Sequence, residues 1–314
     1  DVQTLEYLNM LTFAKERPMT RVLVLGSVSY NLMLYVDALP EPRPHNVFAR
    51  DYHETLGGTA AGKALNLQKL GVEPTLYSLI GDDVQSERVQ ARMVQESVLF
   101  RFDLDPAGTQ RHVNLMDADG QRLSIYVEGG TFEPEPNAAR LEALIRQHDL
   151  VVLDIVNYCR AFIPLIQRHR RELWCDIHDY DGKNPYHRDF IKAADVIFMS
   201  SDAMPEYRPF MKDLIAAGKR LVVCTHGKDG ATALTSEGTW YEQPIVDTYA
   251  LRDSNGAGDA FFAGFLYGHL QGLDVQACLQ RAAIAAGLCI TSRELAFPDL
   301  DAARLEAEHR AHFD

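Results

Sequence analysis

Short apolar runs alternate with helix-period stretches along most of this chain. Residues 21–26, Arg-Val-Leu-Val-Leu-Gly, read as a buried strand ending in a tight turn. The stretches 32–36 and 47–56 read as short strands, separated by a loop that holds Pro40, Pro42 and Pro44. From 57 to 70 the period changes to that of a helix. Ala60, Ala61, Ala64, Leu65, Leu67 and Leu70 form its core stripe, and Gly71 stops it. A strand over 76–80 and a helix over 84–95 come next. Residues 111–116 and 122–127 flank Asp117-Ala118-Asp119-Gly120, a hairpin signal. Strands at 150–155, 173–177, 196–199 and 221–225 then alternate with helices at 161–170 and 209–217, before an apolar helix near 260 and another over 275–290.

Alternation of this kind predicts an α/β fold whose mainly parallel sheet is covered by helices on both faces. Two regions do not fit it, about 32–56 and 100–127. They are expected to form a small β-sheet lid inserted into a core of residues 21–314, excluding water from a site beneath. Residues 1–20 are read as an N-terminal extension, a helix packed on the outside.

Composition narrows the function. The 314 residues are 46% hydrophobic and 24% charged, as in ordinary globular proteins, and can bury a large core. A net charge of -13 argues against nucleic acid or an anionic membrane as partner, since both demand a basic face. Residues 1–20 lack the basic start and apolar stretch of a signal peptide, so a cytoplasmic protein is expected. The five cysteines, Cys159, Cys175, Cys224, Cys278 and Cys289, show no metal-ligand spacing and are read as buried thiols.

The chemistry is concentrated in Asp253-Ser254-Asn255-Gly256-Ala257-Gly258-Asp259-Ala260-Phe261-Phe262-Ala263-Gly264-Phe265. A glycine-rich turn runs directly into an apolar helix with an acid in its first turn. Gly256, Ala257 and Gly258 carry almost no side chain, so their N–H groups can approach a phosphate closely at the positive end of the helix. Asp259 can accept the proton of an attacking hydroxyl while those amides stabilise phosphoryl charge. A bare G-x-G-D more often marks the start of an ordinary buried helix.

The thirteen residues together resemble the signature of the ribokinase-like, PfkB-type carbohydrate kinases, Asp-Thr/Ser-x-Gly-Ala-Gly-Asp followed by a small and aromatic helix. The resemblance covers roughly residues 21–298. It implies the ribokinase-like fold, with Asp259 as catalytic base and Gly256, Ala257 and Gly258 as anion hole. It also implies ATP and Mg²⁺ as cofactors, with Asp253 and Asn255 bordering a K⁺ site of the kind many members have.

The stretch Gly57-Gly58-Thr59-Ala60-Ala61-Gly62-Lys63-Ala64 nearly matches a Walker A loop. Ala64 stands where the Mg²⁺-binding hydroxyl belongs, and the residues ahead of it are too polar for a buried strand. The same residues resemble the family's N-terminal Gly-Gly segment, which places Gly57 and Gly58 against a sugar. Asn31 stands where many members have a sugar-binding Asp, and Gly62 where they have Asn. Lys63 follows, and with Arg111 and His112 it invites an anionic substrate; a solvated helix lysine is the plainer reading. Asp154 ends a core strand and is a further candidate for hydroxyl recognition. Val222 to Gly230 resembles the segment that meets ATP, which assigns Thr225 and Gly227 to the nucleotide together with Asn255. The family's Asn-x-x-Glu element, which organises Mg²⁺, is replaced by Ser200 to Glu206. His178 and His226 are read as hydrogen-bonded structural residues.

The expected function is ATP-dependent phosphorylation of a sugar-like hydroxyl. The rivals are a nucleoside kinase on the same fold and a non-catalytic sugar sensor. A homodimer through the lid is the expected assembly.

Overall fold

The computed structural model describes residues 20–135 and 137–313. The helix expected over residues 1–20 therefore lies, apart from Thr20, outside the described residues.

The first buried run forms β1 (Val22–Leu25), flush with the core on all four residues. Then come β2 (Ser29–Tyr35) and β3 (Asp51–Gly57), with α1 (Thr59–Lys69) starting two residues later. Next are β4 (Thr75–Ile80), α2 (Val84–Gln95), β5 (Leu99–Leu104), β6 (Arg111–Met116), β7 (Arg122–Glu128) and α3 (Ala138–Gln147). The second half continues with β8 (Leu150–Leu153), α4 (Ile163–Arg168), β9 (Glu172–Asp176), α5 (Arg188–Ala193), β10 (Val196–Ser200) and α6 (Tyr207–Ala216). It closes with β11 (Leu221–Thr225), β12 (Ala231–Thr235), β13 (Trp240–Gln243), α7 (Ala257–Leu270), α8 (Val275–Ile290) and α9 (Ala302–Phe313).

Nine strands make the main sheet in the order β13-β12-β11-β10-β9-β8-β1-β4-β5. Pairings from β11 through to β5 are parallel, and β12 runs against both its neighbours. Successive side chains of a strand point to opposite faces, so two cores form. Val22 and Val24 pack with α1, α7 and α8, whereas Leu23 and Leu25 pack with α3 to α6. On the first face Trp174, Phe198, Phe262 and Phe265 form an aromatic cluster with centroids 4.5–6.1 Å apart. Glycines let α7 and α8 approach closely: a Cβ on Gly264 would lie 2.8 Å from the Arg281 carbonyl oxygen.

Four other strands form a separate sheet in the order β3-β2-β6-β7. It is anchored to the core through Arg88 of α2, which pairs with Glu54 and lies over the Tyr30 ring. On the edge strand β7, Leu123, Ile125 and Val127 are exposed.

The structure corrects the expected bounds of the insertion. Residues 99–104 form β5, which pairs in parallel with β4 as an edge of the main sheet. Its half-exposed pattern, Leu-Phe-Arg-Phe-Asp-Leu, hides it among the lid strands. Helices α3 and α9 and the hairpin β12–β13 were also not anticipated.

Candidate functional site

Parallel strands deliver their carboxyl ends to one edge of the sheet, and in open α/β sheets ligands bind there. At this edge β1 is followed by Gly26, β8 by Asp154, β9 ends at Asp176, β10 at Ser200 and β11 at Thr225. Helices α1 and α7, packed on one face, bring their first turns to the same place.

Helix α1 starts where it does because Gly58 adopts φ +93°, and a Cβ there would collide with the Ser27 carbonyl. A Cβ on Gly57 would collide likewise with the amide of Asn31. One turn into α1, Gly62 faces α7 so closely that a Cβ would lie 2.9 Å from both Cβ and Cγ of Asp259. Glycine at 62 therefore gives Asp259 its room.

Lys63 is not solvated. It is 3% exposed, and its Nζ lies 2.6 Å from Asp259 Oδ1 and 3.2 Å from Asp176 Oδ2. Burial alone would lower the ammonium's pKa, but Asp259, Asp176 and Asp154 outweigh it and hold Lys63 charged. For Asp259 burial is the larger influence and raises its pKa, while Lys63 opposes it. Oδ2 of Asp259 accepts no hydrogen bond among the described residues and is free to take a proton.

Asp154 stands at the site but has no acceptor capacity left. Its Oδ2 accepts from Ser27 N–H at 3.0 Å, Ser27 Oγ–H at 2.6 Å and Thr59 Oγ1–H at 2.7 Å. Its Oδ1 accepts from Ile155 N–H at 2.8 Å and His178 Nε2 at 3.4 Å. Five donors fill the four lone-pair sites of a carboxylate, which corrects the expectation that Asp154 reads a substrate hydroxyl. It ties the site together. Despite its burial, these donors and Lys63 hold its pKa well below the usual range.

His178, read from the sequence as a hydrogen-bonded structural residue, is hydrogen-bonded within this cluster. Its backbone is left-handed at φ 53°, uncommon outside glycine, and its N–H donates to Asp176 Oδ1 at 3.0 Å. Burial favours neutral imidazole, but Asp176 and Asp154 prevail and push its pKa up to about 9. Asp176 itself escaped the sequence reading. Its only signal is a lone acid at the end of an apolar run.

The expected cationic pocket does not form. Lys63 is paired with two carboxylates, and Arg111 pairs with Glu54 at 3.3 Å. Burial, with Arg122 nearby, lowers the His112 pKa to about 4, so that ring is neutral. Asn31 is buried, and its Oδ1 accepts the His112 N–H at 3.0 Å, joining β2 to β6.

At the start of α7, Gly256 is left-handed with φ +82° and no side chain caps the helix. The N–H of Ala257 turns back to the Ser254 carbonyl at 3.3 Å. The N–H groups of Gly256, Gly258 and Asp259 have no acceptor among the described residues, and a Cβ on Gly258 would meet open space. These are the properties of an anion cradle. Asp253 is buried, and each of its oxygens has a donor: Oδ2 accepts the Tyr35 hydroxyl at 2.5 Å and Oδ1 the Asn255 N–H at 2.8 Å. The Asn255 side chain accepts from Arg122 at 3.1 Å.

On the other flank Thr225 ends β11, and its carbonyl accepts the Ser201 N–H at 3.0 Å. Gly227 opens the following turn at φ +54°. His226 between them is held by Ser201 Oγ at 3.1 Å and Thr232 Oγ1 at 2.9 Å, so it is structural. Asp202 and Glu206 lie exposed in the adjoining turn. Among the described residues no group of three or more His, Cys, Asp or Glu side chains could cage a metal ion, and no helix is long and apolar enough to cross a membrane.

Comparison with known proteins identifies the family and the fold. The chain is 31% identical over 276 residues to acarbose 7(IV)-phosphotransferase of an Actinoplanes species, covering 87% of this chain and 92% of that one. It is 31% identical over 297 residues to ATP-dependent ribose-1-phosphate kinase of Halopiger xanaduensis, covering 88% and 93%. Among solved structures a microbiome-derived acarbose kinase superimposes with a TM-score of 0.84 at 28% identity, over 93% of this chain and all of that one. The ribokinase of Arabidopsis thaliana, complexed with ribose and ATP, has the same fold, with a TM-score of 0.75 at 18% identity over 95% of this chain and all of that one. Residues 19–302 match the family of pfkB carbohydrate kinases. With that match over most of its length and the signature turn at the head of α7, the chain belongs to the pfkB family of carbohydrate kinases.

Proposed function

We infer that this kinase transfers the γ-phosphoryl group of ATP to a hydroxyl of a neutral or basic sugar-like acceptor. The observation that carries this reading is Asp259, which pairs through one oxygen with buried Lys63 and keeps the other free beside the open start of α7. The unpartnered amides fit the nucleotide's phosphates. Mg²⁺ needs no protein cage, because it keeps most of its waters and binds mainly phosphate oxygens; Asp202 and Glu206 are the carboxylates beside Thr225 that would hold its water shell. When bound, ATP with Mg²⁺ supplies an electrophilic phosphorus and a neutralised leaving group.

The chain's own residues then have separable tasks. Asp259 Oδ2 takes the acceptor's proton, and Lys63 favours the ionised form of that carboxylate against burial. The N–H groups of Gly256, Gly258 and Asp259 stabilise the charge on the phosphoryl oxygens. Gly57, Gly58 and Asn31 border the acceptor, with Thr225 and Gly227 beside the nucleotide. The small sheet acts as a lid over the acceptor, and its exposed β7 face offers a surface for a second copy of the chain. Charge sets the acceptor class, since Asp154, Asp176 and Asp259 outnumber Lys63 and His178. A sugar phosphate is repelled.

The test is a phosphorylation screen with ATP and Mg²⁺ over acarbose, ribose, fructose, ribose 1-phosphate and nucleosides, with Asp259→Asn as the blank. The reading expects turnover on a neutral sugar or sugar-like compound. A marked preference for ribose 1-phosphate would overturn the charge argument, and a preference for nucleosides would move the enzyme to the nucleoside-kinase branch.

A further inference from the structure

Three consecutive residues ahead of the anion cradle are each held by the small sheet. The Tyr35 hydroxyl, at the end of β2, donates to Asp253 Oδ2 at 2.5 Å. Ser254 Oγ donates to the carbonyl of Gly120, in the β6–β7 turn, at 3.0 Å. Arg122 of β7 donates to Asn255 Oδ1 at 3.1 Å. The first contact is buried, with Tyr35 7% and Asp253 2% exposed. It is also braced: the Arg293 guanidinium lies 4.2 Å from the Tyr35 ring centroid and pairs with Asp51 of β3 at 2.5 Å.

Asp253 does more than receive this contact. Its other oxygen accepts the Asn255 N–H at 2.8 Å, shaping the turn that delivers Gly256 in its left-handed conformation. A chain of bonds therefore runs from β2 through Tyr35 and Asp253 to the backbone of the cradle. Resting on the kinase reading above, we propose that Tyr35 is a positioning residue, which sets the Gly256 and Gly258 amides for phosphoryl transfer only while the small sheet is seated on the core. The sheet's closure is thus sensed by the group that must be in register at the chemical step. An amide displaced by an ångström loses on the order of a hundredfold in rate.

Tyr35→Phe in the full chain tests this, because it keeps the ring stacked on Arg293 and removes only the hydroxyl. Turnover on the acceptor found in the screen should fall roughly ten- to hundredfold, with KM for ATP and acceptor within about threefold of the parent. Hydrogen exchange, followed by mass spectrometry, should quicken about tenfold in a peptide spanning 252–258 and stay unchanged over 221–225. Turnover within twofold of the parent, a change confined to the acceptor KM, or unaltered exchange over 252–258 would each overturn the proposal. The exchange result does not depend on any substrate, so faster exchange with no acceptor found would count against the kinase reading and not against the latch. If Tyr35→Phe does not fold, Arg122→Gln at the exposed rim carries the same readouts, with about a threefold loss of turnover and faster exchange expected. No change in either would again overturn it.

Discussion

Replacing Lys63 by Met separates the two things this side chain can do, filling space and holding charge. The substitution keeps an unbranched apolar chain of similar length but removes the ammonium that lies 2.6 Å from Asp259 and 3.2 Å from Asp176. Deleting one partner of a buried ion pair costs about 3–5 kcal/mol, because the remaining charge is left uncompensated. The uncompensated charge is that of the Asp259 carboxylate, so its loss of a partner disfavours the ionised form and raises the Asp259 pKa further. Its pKa is already raised by burial, and Lys63 is what opposes the rise. A larger fraction of the base would then be protonated at neutral pH, and the penalty would appear as lost activity more than as unfolding. The assay is kcat/KM from pH 5 to 10 for parent and variant, since this ratio reports the free enzyme's essential groups. The acid limb should move clearly to higher pH, with activity recovering on the alkaline side. If the limb moves by less than about half a unit while the variant stays folded, Lys63 does not control the ionisation of Asp259 and the electrostatic account is wrong.

Asp259→Asn should lower kcat by about two to four orders of magnitude, with ATP affinity nearly intact by calorimetry, because the amides remain; near-normal turnover would refute its role as base. Gly62→Ala places a methyl group against Asp259, an overpacking that costs about 1–3 kcal/mol. Both Tm and kcat should drop, and a variant unchanged in both would mean that Asp259 is not held against Gly62. Stability should also depend on His178. Its pKa, ordinarily 6.5, is raised to about 9, so its stabilisation is full below pH 6.5 and is lost as pH rises through about 9. Urea midpoints should fall over that interval in the parent and fall less in His178→Gln; parallel curves would contradict the assignment. Ala64→Ser should not tighten ATP binding, whereas clear tightening would revive the Walker A reading.

What was legible in the sequence follows from which signals are local. The apolar runs at β1, β8, β9, β10 and β11 are buried on both faces, so they read as parallel strands without help from distant residues. The edge strand β5 alternates apolar with charged side chains, a pattern that reads as a lid strand although it pairs with β4 in the main sheet. At the site, the turn Gly256, Ala257, Gly258 and Asp259 stood out because glycine spacing and an acid in a helix's first turn are contiguous. Asp176, His178 and Tyr35 acquire meaning only from Lys63, Asp154 and Asp253, which lie far away in the chain. Lys63 shows the limit most plainly. At helical spacing a lysine among alanines reads as solvated, and only the absence of a side chain at Gly62, with Asp259 set into that gap, reveals that it points inward.

The donors gathered on Asp154 have a consequence for how the molecule is made. Ser27 and Thr59 lie 127 and 95 residues before it, and His178 lies 24 residues after it. No fragment that stops short of β8 and Asp154 can assemble this centre, and pairings between such distant positions form slowly because long loops must close first. During synthesis Ser27 and Thr59 must therefore wait for their acceptor until β8 and Asp154 leave the ribosome. Regain of activity after denaturation should accordingly lag behind recovery of helix and strand content.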